Sequence, residues 1–176
     1  MKANKESKEQ ILDAATAVVL ARGAGHLTLD AVAAQAGLSK GGLLYHFPSK
    51  ESLLHGLIDR MHKQFDQAQA EALAERKLNL LQAYVIAAFR KGEKRKRLGA
   101  ALLAAAANNP KLLGPARKEN ARRFDAFRHK APGYVRAMTV VLAAHGLWLL
   151  EVLETSPFSS SERKKICAEL LALSAA

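Results

Sequence analysis

Apolar residues recur along this 176-residue chain at intervals of three and four, the period of one helix face, and Gly, Pro or a short polar residue interrupts each run. Residues 6–22 predict a first helix with Ile11, Ala15, Val18 and Val19 on one side, ended by Gly23 and Gly25. Thr28 stands before the series Leu29, Val32, Ala33, Ala36, and Ser39 before Leu43 and Phe47. Each is a helix-capping residue at the head of a short amphipathic segment. Gly37 between them suits a left-handed helix end, with Leu38 to plug the corner. The pattern is helix, tight turn, helix.

Pro48 stops the second of these helices, because it offers no amide and pushes Phe47 from helical angles. A long helix follows over about 50–76, with Leu53, Leu54, Leu57, Ile58, Met61 and Phe65 as its inward stripe. Residues 78–91 predict another, through Leu80, Leu81, Tyr84, Val85, Ala88 and Phe89, and it runs into the dense charge run 90–97, which reads as a solvated loop ahead of the alternative that it adds phosphate contacts. From Leu98 to Asn108 the run AALLAAAANN predicts a helix whose small side chains either pack closely or leave space. After Asn109-Pro110 a basic helix reaches about Lys130 on the anchors Phe124 and Phe127, and Ala131-Pro132-Gly133 breaks it. Residues 134–154 are apolar in almost every direction, which requires burial all round. The chain's own core can cover one side, so a second copy is expected on the other. Leu142, Gly146, Leu149, Leu150 and Leu153, with Ile166 and Leu170 from a last helix starting near Ser160, form the expected dimer interface. No segment reads as a strand, and the fold class is all-α.

The segment after Ser39 begins Lys40-Gly41-Gly42, one cation and two residues whose backbone can approach another surface closely. Tyr45 and His46 lie where Leu43 and Phe47 leave the helix free. Such a helix is shaped to enter a groove of double-stranded DNA, with Lys40 on a base edge, Gly41 and Gly42 allowing close approach, and Thr28, Tyr45, His46 and Lys50 on phosphates. The stretch TLDAVAAQAGLSKGGLLYHFPSKE, residues 28–51, resembles the DNA-binding signature of TetR-family transcriptional regulators, over roughly the first third of the chain. Leu44 departs from that signature, since many relatives carry a tyrosine there. The resemblance implies a three-helix helix-turn-helix domain, placed at 1–48, and a helical ligand-binding and dimerisation domain at 49–176. It implies a cytoplasmic homodimer on a palindromic operator, acting as a repressor that an unidentified small-molecule effector releases. Tyr84, Phe124, Phe127, Met138, His145 and Trp148 are the candidate pocket residues, and each also reads as plain core.

The formal net charge of +11 favours a polyanionic partner. By chain order the first 63 residues hold 8 Lys or Arg against 6 Asp or Glu, residues 64–130 hold 15 against 6, and the remainder 4 against 4, so the excess falls outside the helix-turn-helix. The lysines at 2, 5 and 8 read as a solvated terminus. His55, Asp59 and His62 share a helix face but lack a fourth ligand, so neither a metal nor another cofactor is expected. One cysteine, Cys167, excludes an internal disulfide framework. The opening MKANKESKEQ lacks the apolar core of a signal peptide, and no uncharged apolar run reaches bilayer length, so no membrane partner is expected. No nucleophile elbow, paired catalytic carboxylates or phosphate loop supports an enzyme. An effector-independent, architectural DNA binder stays open as the alternative.

Overall fold

The computed structural model of the chain describes residues 2–76, 78–90, 92–130 and 133–175, and of these the side chains at 2–5, 76, 129 and 130 are left aside. Within these residues the chain is helical and contains no strand. In order it forms α1 (Lys2–Arg22), α2 (Leu29–Ala36), α3 (Lys40–His46), α4 (Lys50–Arg76), α5 (Leu80–Phe89), α6 (Glu93–Asn108), α7 (Gly114–Lys130), α8 (Tyr134–Val152) and α9 (Ser160–Ala175), with single 3-10 turns at Ala24–His26 and Pro110–Leu113. The expected break at Ala131-Pro132 lies outside the described residues. Gly133 beside it holds a left-handed φ of 72° and leads into α8.

The helices group into two compact units. The first contains residues 1–61 and 93–116, and the second residues 62–92 and 117–176. Packing therefore does not follow chain order at 48/49: α4 contributes residues to both units, and α6 joins the first. The first unit buries Ile11, Leu27, Val32, Leu43, Leu53 and Leu57 completely, and Leu98, Leu102 and Leu112 complete its core. In the second, Phe65, Tyr84, Val85, Phe127, Val140 and Val141 are the buried centre.

Two boundaries differ from the sequence reading. The helix expected at 78 starts at Leu80, behind an Asn79 cap whose side chain accepts from the Gln82 amide (2.9 Å) while Gln82 accepts from the Asn79 amide (3.1 Å). Glu93 to Arg97 form the opening turn of α6 rather than a solvated loop. Glu, Lys and Arg are good helix formers, and Glu93 sits at the positive end of the dipole, so this turn needs no apolar face. Arg97 donates to the Leu20 carbonyl (2.8 Å), and Arg90 pairs with Glu71 (2.7 Å). Lys91 lies outside the described residues.

Helix α8 is buried on one side only. Ala137, Val140, Val141, Ala144, Leu147 and Val152 face the chain's own core, whereas Val135, Thr139, Leu142, Gly146, Leu149 and Leu153 are all exposed. Their spacing of four and three is that of a helix–helix seam. The helix is also long and apolar enough to cross a membrane by length and composition, although Arg136 and Glu151 interrupt it. Its packed inner face is what a core helix shows.

Candidate nucleic-acid interface

The helix-turn-helix is built from local hydrogen bonds that the sequence supplies. Thr28 is extended (φ −123°, ψ 154°), and its hydroxyl accepts from the Ala31 amide at 3.1 Å, capping α2. Gly37 ends that helix at φ 66°, ψ 30°, a left-handed conformation that an L side chain rarely takes. The Leu38 amide then donates back to the Ala33 carbonyl (3.0 Å), closing the turn. Ser39 accepts from the Gly42 amide (3.1 Å) and caps α3.

Helix α3 is held from below and open above. Leu43 and Phe47 are buried in the core of the first unit, while Lys40, Gly41, Gly42, Leu44 and Tyr45 are exposed, Tyr45 at 77%. A methyl group at Gly41 would meet nothing within 4 Å. His46 is half-buried and packs its ring edge-on to Tyr45 (centroids 5.1 Å). The Lys40 ammonium bridges to Asp30 (2.9 Å), both exposed, so it is poised on the surface and available to exchange that partner. Ser49 and Ser52 exchange side-chain-to-amide hydrogen bonds (3.0 and 3.1 Å) at the start of α4. Beside them Lys50 donates to the Gly25 carbonyl (2.8 Å) and stays exposed. Thr28, Ser39, Lys40, Gly41, Gly42, Tyr45, His46 and Lys50 thus all sit within the first packing unit.

Three further residues position this surface. An ideal Cβ at Gly56 would lie 2.7 Å from Phe47 Cε1 and 3.0 Å from Leu12 Cδ2, so this glycine lets α4 seat the ring that anchors α3. A glycine inside a long helix costs about 1 kcal/mol relative to alanine, a local signal that some close approach required it. Arg60 binds the Asp13 carboxylate and the Leu12 carbonyl (both 2.8 Å) and reaches Thr16, tying α4 to α1. Lys8, read as part of a solvated terminus, lies over the Phe47 ring (5.4 Å to its centroid); the side chains of Lys2 and Lys5 lie outside the described residues.

Of the candidate pocket residues, Tyr84, Phe124, Phe127, Met138 and His145 come together in the second unit, and Trp148 is half-buried apart from that cluster. Tyr84 packs edge-on to Phe127 (5.3 Å) and against Phe65 (5.1 Å), and its hydroxyl is hydrogen-bonded to His145 Nε2. Burial, and secondarily the Arg123 guanidinium, hold the His145 imidazole below its ordinary pKa and favour the neutral ring. Arg123 itself lies over Phe65 (4.3 Å) and pairs with Asp66 (2.9 Å). Among the expected interface residues, Leu142, Gly146, Leu149 and Leu153 are exposed and Leu150 is half-buried. Ile166 is half-buried and packs against the second unit's core, and Leu170 is buried within that core. Among the described residues, no three His, Cys, Asp or Glu side chains gather as a metal site requires, His55, Asp59 and His62 included.

Comparison with known proteins bears on the same two regions. Residues 11–57 match the family described as bacterial regulatory proteins, tetR family, and residues 78–175 match the tetracyclin repressor-like C-terminal domain. The Probable HTH-type transcriptional regulator ArpR of Pseudomonas putida is 31% identical over 77 residues, 44% of this chain and 37% of its own length. The chain thus matches well under half the length of that relative. A member of the TetR family from Streptomyces coelicolor A3, SCO1917, has a solved structure that superposes with TM-score 0.73 at 24% identity, over 94% of this chain and 98% of that one. The multidrug binding protein EbrR complexed with ethidium superposes at TM-score 0.69 and 21% identity, over 93% and 98% of the two chains. At such identities the likeness is one of fold.

Proposed function

The chain belongs to the TetR family of bacterial regulatory proteins, and from that premise we propose that it is a sequence-specific, DNA-binding transcriptional repressor that works as a homodimer in the cytoplasm. The observation that carries this reading is α3: a Ser39-capped helix held by Leu43 and Phe47 that leaves Lys40, Gly41, Gly42 and Tyr45 open. Lys40 reads a base edge, guanine O6 and N7 being the natural acceptors for a cation. Thr28, Tyr45, His46 and Lys50 fix the register on phosphates. The exposed seam Val135, Leu142, Gly146, Leu149 and Leu153 is the surface a second copy covers. Two copies related by a two-fold axis present two α3 helices to successive major grooves, which calls for an inverted-repeat operator.

An effector enters the second unit. Tyr84, Phe124, Phe127, Met138 and His145 provide aromatic faces and a neutral imidazole, suited to a planar apolar molecule. Binding there favours a dimer geometry that no longer fits DNA, which is relief of repression by population shift. EbrR, with its bound ethidium, supports the expectation of such a ligand.

The test is selection of bound duplexes from a random pool at physiological salt, followed by a release screen. A short inverted repeat released by one compound establishes the reading. Binding without any enriched sequence, steeply dependent on salt, would instead establish an architectural binder.

A further inference from the structure

A cleft lies within the first unit. It encloses about 610 Å³, within the size range of small-molecule sites. Its floor is apolar: Leu54 and Leu112 are buried, and Ala101, Ala104 and Ala105 of α6 line one wall. These are the small residues of the AALLAAAANN run, and here they leave space rather than draw helices together. Two basic side chains, Arg22 and Lys50, stand at the cleft together with His26, whose ring is fixed by a hydrogen bond to the Arg22 carbonyl (2.7 Å). Glu51 is the single carboxylate of the described lining. Lys50, Glu51 and Leu54 belong to the first turns of the 27-residue α4, so the cleft also meets the positive end of that helix dipole. At the opposing end of α6, the Ala105 carbonyl accepts from the Asn109 amide (3.0 Å) and the Ala104 carbonyl from the Asn108 side chain (3.1 Å), so neither acceptor is left bare to oppose a negative ligand.

An apolar floor rejects a hydrated inorganic ion, and the excess of cations rejects an organic amine. We propose that this cleft binds a small organic anion with an apolar body, an aromatic carboxylate or sulfonate, and that its occupancy takes Lys50 away from DNA. The second clause rests on the reading of Lys50 as a phosphate contact. The Lys50 ammonium already reaches back to the Gly25 carbonyl at the cleft (2.8 Å). An anion there holds it in that position and removes one counter-charge from the DNA-facing surface.

The experiment uses the full chain labelled at alanine methyl groups, titrated with 8-anilino-1-naphthalenesulfonate and with its uncharged counterpart N-phenyl-1-naphthylamine, followed by NMR. Saturable shifts at Ala101, Ala104 and Ala105, at least fivefold weaker for the uncharged probe and lost in Ala104→Trp, are expected. Because Ala104 is exposed, tryptophan there fills the cleft without entering the core. Should that variant not fold, Lys50→Gln is expected to weaken the sulfonate about fivefold. Shifts confined to Ala137 and Ala144 of the second unit, or equal binding of both probes, overturn the proposal. The selected duplex should bind more weakly with the sulfonate present in wild type and unchanged in Ala104→Trp; methyl shifts without any effect on DNA overturn the coupling. If no duplex is enriched at all, the proposed function and the coupling both fail, and the methyl shifts, read without DNA, decide the site by themselves.

Discussion

Gly56→Ala tests whether the anchoring of α3 is as tight as the geometry says. In a helix interior the change should stabilise by about 1 kcal/mol through propensity alone. Here the added carbon would stand 2.7 and 3.2 Å from two atoms of the Phe47 ring and 3.0 Å from Leu12 Cδ2, with both neighbours only 3% exposed. Overpacking of a closed core costs about 1–3 kcal/mol. The net is a loss of about 1 kcal/mol, and for a chain of this length a midpoint about 2–4 °C lower. Gly41→Ala is the control, since its methyl would meet nothing within 4 Å. That variant should keep or slightly raise the midpoint and instead weaken DNA binding, because it coats the surface meant to approach a groove. Thermal unfolding should be followed by far-UV circular dichroism, because the single tryptophan, Trp148, lies in the second unit and reports on that unit. A Gly56→Ala midpoint equal to or above wild type would refute the argument, showing that Phe47 yields freely and that propensity wins.

The remaining predictions concern DNA, assembly and pH. Lys40→Ala should cost about 1–3 kcal/mol for the selected operator and relax preference at one base position, whereas Lys50→Ala should weaken all duplexes alike and lower the salt slope by about one; equal losses on specific and random DNA in both variants would reverse the assigned roles. Leu142→Glu or Leu149→Glu, each placing a carboxylate on the exposed seam of α8, should shift the mass in light scattering toward that of one chain, and an unchanged dimer mass would remove that seam as the interface. The lowered pKa of His145 contributes stability that is complete above its ordinary value near 6.5 and is lost as pH falls through the folded value. The wild-type midpoint should therefore drop between pH 7.5 and pH 5, and His145→Gln should flatten that drop; an identical pH profile in the variant would mean that the buried ring carries none of it.

The turn at residues 28–47 was legible because every signal in it is local. A capping hydroxyl, a left-handed glycine and a stopping proline act within four residues, so the chain order alone places them. What escaped the sequence is what depends on distance. Within the charge run 90–97, the helix turn 93–97 has no apolar face until Leu98 enters the core, so an apolar periodicity does not detect it. The membership of 93–116 in the first unit is a long-range fact that no periodicity encodes. Leu170 looked like an interface residue because its helix offered apolar positions, yet only packing decides which of them the chain keeps for itself. Gly56 is the opposite case, a helix-disfavouring residue whose local penalty is a legible sign of some close contact, although nothing local names Phe47 as the partner.

The regrouping of residues 93–116 also changes the electrostatic picture. By chain order the first 63 residues carry a net charge of only +2, which separates the charge from the reading helix. By packing unit, the first holds 12 Lys or Arg against 7 Asp or Glu and the second 15 against 9, so the net charges are +5 and +6 and together make the +11 of the chain. The unit that presents α3 is thus strongly basic in its own right. Part of that charge is fixed at the back of α1, where Arg97 holds the Leu20 carbonyl. Charge spread in this way draws a protein to any duplex and speeds encounter without selecting a sequence. On the proposed reading, selection is left to the few side chains of α3, chiefly Lys40, whose exposed partner Asp30 it can leave at small cost. Attraction and reading are accordingly separable: raising salt should weaken operator and random DNA together, while the ratio between them follows the contacts of one seven-residue helix.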